Sequence, residues 1–429
     1  MRSLSCKITV SLIVAVSIWV VSLTGSAREV NPRLFGSMMP YDFAAVESAP
    51  VYPDSLHPVY AQYVARHGAR YLSGPKKTKK ALKAMKEAEK AGTLTPLGRE
   101  FMAYLDTVYA VNDGKWGLLS PLGKEEEQRL AMQVFADFPA LAGKRVKVSA
   151  LSTDVPRAIM TMYEFTHGLA LLNRDLDITA NSGPQNSALL HFFSVDSAYS
   201  AYRGDHAPWR QFYRDYLREN VAGAPALRLI GKTPKPDDPF FLPELTMEIY
   251  GILQGNTAYG LPAPDEKFLT EHEFEECWKA TNLQHYLRNT ISPFSEIAGR
   301  SAAPLMERLI EGADSIITVC KSGEIYFDGY FGHAETLLPL LSLMHLPGCY
   351  WLPDGKKDLR ALPAHWQIQD VTPLAANILI VYLQSDSGRL YTLLRVNGRT
   401  VSPLPGEKEF TPWSDLRAFW MKCMAETSE

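Results

Sequence analysis

What most narrows the folds open to this chain is a passage from an apolar run straight into clustered charge. HPVYAQYVA, His57 to Ala65, has the β-branched and aromatic character of a buried strand, and RHGAR, Arg66 to Arg70, follows it without a spacer. Two arginines and a histidine therefore fall on a strand-end loop, with lysines close behind from Lys76. Two later segments repeat the passage. KRVKVSALSTDVPRAIMTMYEFTHGL alternates at Val146, Val148 and Ala150, turns, and then carries Val155, Ile159, Met162, Phe165 and Leu169 at helical spacing, with Arg157 in the first turn. EIYFDGYFGHAETLLPLLSL brings an apolar segment to His333 and Glu335 before a helical run. Open α/β sheets place their ligands at the carboxyl ends of strands, and helix N-termini there favour anions. The expected architecture is α/β, a Rossmann-like core sheet flanked by helices, with three strand ends converging on one anion site.

Between Leu171 and Pro293 the character changes. AYRGDHAPWRQFYRDYLREN mixes aromatic and charged residues, GKTPKPDDPFFLP is proline-rich, and EHEFEECWKATNLQHYLRN reads as a helix. The segment 171–293 is expected to be a second, mainly helical domain inserted into the core, which then comprises 28–170 and 294–429. Local signals place further elements. Lys79 to Ala91 is a charged helix with Leu82 and Met85 on one face and Gly92 as its stop. LTPLG and LSPLG, at Leu94 and Leu119, each offer Thr or Ser as N-cap and Pro as the first helical residue. NILIVYLQ and RLYTLLRV, joined by SDSG and followed by Asn397-Gly398, read as a hairpin and turn.

Composition supplies the outer bounds. With 429 residues, 46% of them apolar, and a formal charge of -3, the chain is a folded protein of one large or two moderate domains. Its near-neutral balance argues against nonspecific nucleic-acid binding, so any basic site must be a local concentration. At the N-terminus, Arg2 and Lys7 precede an apolar stretch from Ile8 to Leu23, and Gly25 and Ala27 offer a small-residue cleavage site. A signal peptide over 1–27 is expected, hence an exported protein, most simply periplasmic, with secretion or vesicle association as alternatives, and with no stable membrane anchor once the segment is removed. The alternative is a retained anchor, but the run is shorter than the roughly twenty residues a spanning helix needs. Cys277, Cys320, Cys349 and Cys423 remain in the mature chain, an even set free to pair in any of three connectivities in an oxidising compartment. Their irregular spacing does not look like a zinc site.

RHGxR is expected by chance in roughly one chain in a thousand of this length at average residue usage. Alone, the cluster could be a solvated loop whose arginines pair with surface carboxylates. Ser152, Thr153 and Arg157 in an S(S/T)xxxR arrangement and the late triplet His333-Ala334-Glu335 follow it in order. Together the three pieces resemble the histidine phosphatase superfamily, and HAE, where most branches carry HD, is similar to its multiple inositol polyphosphate phosphatase branch. Many relatives read RHGxRxPT with a lysine close behind; here Tyr71, Leu72, Ser73 and Gly74 intervene before Lys76.

The resemblance implies a phosphomonoesterase acting on phytate and lower inositol phosphates through a phosphohistidine, and residue chemistry agrees. Phosphoryl transfer needs neutralised equatorial oxygens and an in-line attacker. Arg66, Arg70 and Arg157 suit the first task, since arginine stays charged and pairs its hydrogen bonds to phosphate oxygens. His67, neutral and held in one tautomer, is the expected nucleophile, with Gly68 permitting a tight turn. His333 would complete the phosphate clamp, and Glu335 would protonate the departing alkoxide and later accept a proton from water. Glu335 could instead merely complement a helix dipole. Ser73, Lys76, Lys77 and Arg210 are the candidate substrate contacts, although the lysines also fit an ordinary solvated face. The other histidines read as packing or surface residues. No cofactor or metal is expected. Two alternatives stand beside this reading: a broad acid or bisphosphoglycerate-type phosphatase, and an inositol-phosphate binding protein without catalysis.

Overall fold

The structure, a computed structural model, describes residues 28–319, 324–404 and 409–427. The expected signal peptide and Cys320 lie outside these. Among the described residues no helix is long and apolar enough to cross a membrane.

An eight-stranded mixed sheet carries the fold. Its strands are β1 (Leu56–Arg66), β2 (Val146–Ser152), β3 (Asp177–Ser182), β4 (Ile325–Gly332), β5 (Asn377–Ser385), β6 (Leu390–Val396), β7 (Arg399–Val401) and β8 (Thr411–Pro412). The order is β3-β2-β4-β1-β5-β6-β7, with β8 paired to β6. β1, β2, β3 and β4 run parallel, and β5 turns antiparallel against β1. Along β1, Tyr60 and Val64 enter the core beneath the larger set of helices, while Ala61, Tyr63 and Ala65 enter the core on the opposite face. Burial on both faces explains why β1 reads as a nearly continuous apolar run. The expected hairpin is β5–β6, and Asn397 and Gly398, both with positive φ, make the turn into β7.

Four helices lie between β1 and β3 along the chain: α1 (Lys76–Lys90), α2 (Pro96–Asn112), α3 (Pro121–Asp137) and α4 (Pro156–Leu172). Thr95 and Ser120 cap α2 and α3 by accepting hydrogen bonds from Gly98 N and Gly123 N, each followed by proline, as the two PLG segments predict. α1 begins three residues earlier than its sequence suggested and stops at Gly92, where φ is +69°. α5 (Ala334–Leu343) follows β4 directly.

The region expected to be helical over 171–293 begins with β3, which pairs with β2 in the main sheet, and becomes helical only after Ser182. Its polar, half-exposed pattern hid an edge strand. α1 and α2 pack on the helices Ala224–Ile230 and Phe241–Leu253, so chain from both sides of β2 builds the helical side. EHEFEECWKATNLQHYLRN is one helix, Glu271–Asn289, closed at its start by a Thr270–Glu273 capping box. Of the cysteines left free to pair by the sequence, the three among the described residues are unpaired. Cys277, Cys349 and Cys423 are buried free thiols on separate elements, and burial raises the pKa of each, Cys349 to about 12.

Candidate active site

Register alone brings the three strand ends together. Arg66 is opposite Gly332 in the β1–β4 ladder, and Ser152 is opposite Phe331 in the β2–β4 ladder. The next residues, His67, His333 and Thr153, therefore emerge side by side. His67 N donates to Gly332 O at 3.1 Å and Thr153 N to Phe331 O at 3.3 Å, extending the ladders into the site. The rings of His67 and His333 are 5.6 Å apart.

Both histidines have defined protonation. Nδ1 of His67 lies 2.9 Å from Gly68 O. A carbonyl only accepts, so Nδ1 carries the hydrogen and Nε2 keeps its lone pair. Burial, then the charges of Arg157, Arg66 and Arg70, hold the His67 pKa well below the usual histidine value, so the ring stays neutral. In His333, Nδ1 faces Arg157 Nη2 at 3.4 Å and Nε2 faces Thr153 Oγ1 at 3.2 Å. A guanidinium only donates, so Nδ1 accepts and Nε2–H donates to the hydroxyl. Burial pushes this pKa down as well.

Around the rings stand arginines with donors to spare. Arg66 is fixed through Nη1 to the carbonyls of Ser37, Thr372 and Pro373 at 2.6, 2.7 and 3.0 Å. Arg70 donates from Nη1 to Tyr71 O. The Nε atoms of Arg66, Arg70 and Arg157 are buried with no acceptor among the described residues. Burial lowers the pKa of Arg66 to about 10 and of Arg70 to about 9, so both remain charged near neutrality. Several like charges in one pocket with unanswered donors form a site for an anion.

Glu335 sits in the first turn of α5, half-buried, and pairs with Arg203 Nη2 at 3.1 Å. Burial alone would raise its pKa, but the guanidinium groups of Arg203 and Arg288 outweigh this and hold the carboxyl well below its usual range. The sequence-predicted substrate contacts lie farther out. Arg70, Ser73, Lys76 and Lys77 line a cavity of about 360 Å³, and Lys77 and Arg210 line a second of about 610 Å³ with His285. Lys77, Gly251 and Gln254 border both. Arg210 is partly committed to the fold, donating to the carbonyls of Gly204 and Arg203.

Gly68 is explained differently from its expected turn role. Its φ is not positive. A Cβ there would lie 2.7 Å from Gly123 O, and one on Gly123 would lie 2.1 Å from Ala69 O. The two glycines let α3 press against the strand-end loop.

Two histidines assigned to packing or surface also belong here. The His191 ring is 5.2 Å from that of His333, and its Nδ1 is 3.8 Å from Asp154. His285 contacts Ser37 Oγ at 3.4 Å, and burial lowers its pKa to about 4. His191 lies among short helical turns with no periodicity, so nothing local signalled its direction.

A mixed sheet presenting two neutral histidines and a ring of arginines at its parallel strand ends defines an α/β protein with a phosphate-type anion site. The chain belongs to the histidine phosphatase superfamily (branch 2), whose family pattern matches residues 59–397. Multiple inositol polyphosphate phosphatase 1 of Gallus gallus is 23% identical over 373 residues, covering 82% of this chain and 78% of that protein. The crystal structure of Bifidobacterium longum multiple inositol polyphosphate phosphatase in complex with phosphate superposes with a TM-score of 0.75 at 16% identity, covering 91% of this chain and 98% of that one. The phytase from D. castellii gives a TM-score of 0.66 at 15% identity, covering 92% and 86%.

Proposed function

We propose that the protein is an exported phosphomonoesterase that hydrolyses inositol polyphosphates through a phosphohistidine. One observation carries the reading: the His67 ring is locked by Gly68 O with its Nε2 lone pair unused, inside a pocket of arginines whose Nε atoms have no acceptor among the described residues. In this reading a phosphate group docks on Arg66, Arg70, Arg157 and His333. Nε2 of His67 attacks phosphorus, the N–P bond forms as the ester P–O bond breaks, and Glu335 gives its proton to the departing inositol oxygen. Water then attacks phosphorus, its proton passes to the Glu335 carboxylate, and inorganic phosphate leaves with the N–P bond broken.

Glu335 is ionised in the substrate-free protein, so it must acquire its proton on binding. A polyanion beside Glu335 raises the carboxyl pKa and competes for Arg203, which supplies the direction of that change. Ser73, Lys76, Lys77 and Arg210 are assigned to the remaining phosphates because they line the cavities beyond Arg70. The B. longum enzyme has been crystallised with inositol hexasulfate, which supports a polyanionic ligand of this shape. Export rests on the sequence of residues 1–27 and favours the periplasm.

The test is phosphate release from phytate compared with p-nitrophenyl phosphate, with chromatography of the partly dephosphorylated inositols. A higher kcat/KM for phytate and a ladder of lower inositol phosphates are expected. Preference for the aryl ester would replace this reading with a broad acid phosphatase, and turnover of neither would favour a non-catalytic binding protein.

A further inference from the structure

α3 carries three successive glutamates, Glu125 to Glu127, that the assigned chemistry does not use. Glu125 is exposed, but Glu126 and Glu127 are buried, at 1% and 0% exposure. The reason is helical phase. Gly123, Leu130, Ala131 and Val134 are also buried, and positions 126 and 127 share their face. Because Gly68 and Gly123 allow α3 to touch the strand-end loop, this face meets the backbone next to the nucleophile.

Glu126 there makes two short bonds. Oε2 accepts from Ala69 N at 2.6 Å, and Oε1 accepts from Tyr41 N at 2.9 Å. Ala69 is two residues beyond His67. Tyr41 ends an N-terminal strap whose Ser37 carbonyl holds Arg66 and whose Met39 carbonyl accepts from Leu374 N. One carboxylate thus spans the two backbone segments that place the nucleophile and its first arginine. Neighbouring loop amides have neutral acceptors: Arg66 N goes to Ala376 O, His67 N to Gly332 O, Gly68 N to Thr161 Oγ1 and Leu72 N to Asn112 Oδ1. Ala69 alone among them has a carboxyl oxygen; burial raises the Glu126 pKa to about 7, and the two N–H bonds together with the Arg66 charge favour its carboxylate form, in which both bonds are charge-assisted.

We propose that Glu126 is a positioning residue for phosphoryl transfer, fixing the His67 loop against the strap that holds Arg66. The inference rests on His67 being the nucleophile. A carboxylate is required because both donors are N–H groups. The amide of Gln accepts through one oxygen only, and its NH2 would face the second N–H donor to donor. Glu127 provides a control on the same helix. It is just as buried, but neither of its oxygens has a hydrogen-bond partner among the described residues, and burial holds its pKa well above the usual range. A neutral Glu127 is close in shape and charge to Gln.

The experiment compares Glu126→Gln, Glu126→Ala and Glu127→Gln, assayed below their melting temperatures on phytate and p-nitrophenyl phosphate. Misplacing a reacting group by about 1 Å costs up to roughly a hundredfold, so Glu126→Gln should lower kcat about 10- to 100-fold. The loss should be equal on both substrates because nucleophile placement is common to them, KM should stay within about threefold, and Glu127→Gln should keep kcat within about twofold. Amide exchange in the peptide spanning Ala69 should accelerate in Glu126→Gln and not in Glu127→Gln. Should Glu126→Ala fail to fold, Glu126→Gln carries the result. Unchanged kcat and unchanged exchange in folded Glu126→Gln would overturn the proposal, as would matching losses in Glu127→Gln. A wild-type protein that hydrolyses neither ester defeats the proposed function instead, and the exchange measurement then still decides whether Glu126 holds the loop.

Discussion

Arg66, His67 and His333 are 3%, 3% and 1% exposed, and each is bonded to backbone or side chains from other strands and helices. Ser73, Lys76 and Lys77 face connected cavities, yet they are exposed, and their side chains make no hydrogen bond or ion pair among the described residues. The first group forms a clamp that is finished before any ligand arrives. The second forms a wall whose charges have no hydrogen-bond or ion-pair partner among the described residues. A preorganised clamp acts where charge develops in the transition state, whereas unpaired charges lining a cavity act on capture. Changes in the clamp should therefore appear in kcat, and changes in the wall in KM and its salt dependence.

The largest effect is expected at the clamp's centre. His67→Ala removes the covalent route and should reduce turnover by on the order of 10⁴-fold or more, while phytate binding measured by calorimetry persists because the arginines remain. Turnover comparable to wild type would break the division at its strongest point. Glu335→Gln comes next. Loss of the general acid should lower kcat on phytate by about 10²- to 10⁴-fold. On p-nitrophenyl phosphate, whose leaving group needs little protonation, the loss should be about tenfold or less. Equal losses on the two esters would move Glu335 from proton transfer to helix support.

Much of the clamp was legible because strands impose register. Once the segments ending at Arg66, Ser152 and Gly332 are read as parallel neighbours, His67, Thr153 and His333 have few places to go. The wall resisted the same treatment. Lys76 and Lys77 start a helix whose lysines look alike in sequence, and only the fold shows which of them face the cavity rather than solvent. Glu126 and Glu127 were legible in principle, since the apolar phase of Leu130, Ala131 and Val134 extends back to them, but a run of three glutamates reads as a solvated face. Arg203 reads from the sequence only as a weak member of a polyanion-attracting set with Arg210, and its partnership with Glu335 is not legible there; His191 lies on a short turn with no period to extrapolate. β3 was hidden because an edge strand with four exposed residues of six carries little apolar signal.

Arg203 stands between the two regions, and its removal sharpens their boundary. It contacts Glu335, is 10% exposed at the side chain and donates to Phe193 O from a segment following β3. Arg203→Met withdraws a cation that lowers the Glu335 pKa. A general acid works while protonated, so activity falls as pH rises through its pKa in the complex. The variant's alkaline limb should therefore shift to higher pH. A limb that stays in place would show that bound substrate, rather than Arg203, sets the Glu335 proton.

The smallest effect is expected in the wall. Lys76→Gln with Lys77→Gln removes two exposed charges beside the cavity that Arg70 also lines. Exposed charges each contribute about 0.2–1 kcal/mol, so together the changes should raise KM for phytate about twofold to thirtyfold, with kcat unchanged. Lys77 Nζ is the heavy atom nearest to where a Cβ on Gly251 would stand, 2.6 Å away, so Lys77 reaches across to the helix Phe241–Leu253. It is thus placed to meet a phosphate remote from the one at His67. A monophosphate has no such remote group, so KM for p-nitrophenyl phosphate should hardly move. Added salt should shrink the difference between variant and wild type on phytate, because screening removes what the substitutions removed. A fall in kcat on both esters would place the lysines in the clamp and erase the distinction between the two regions.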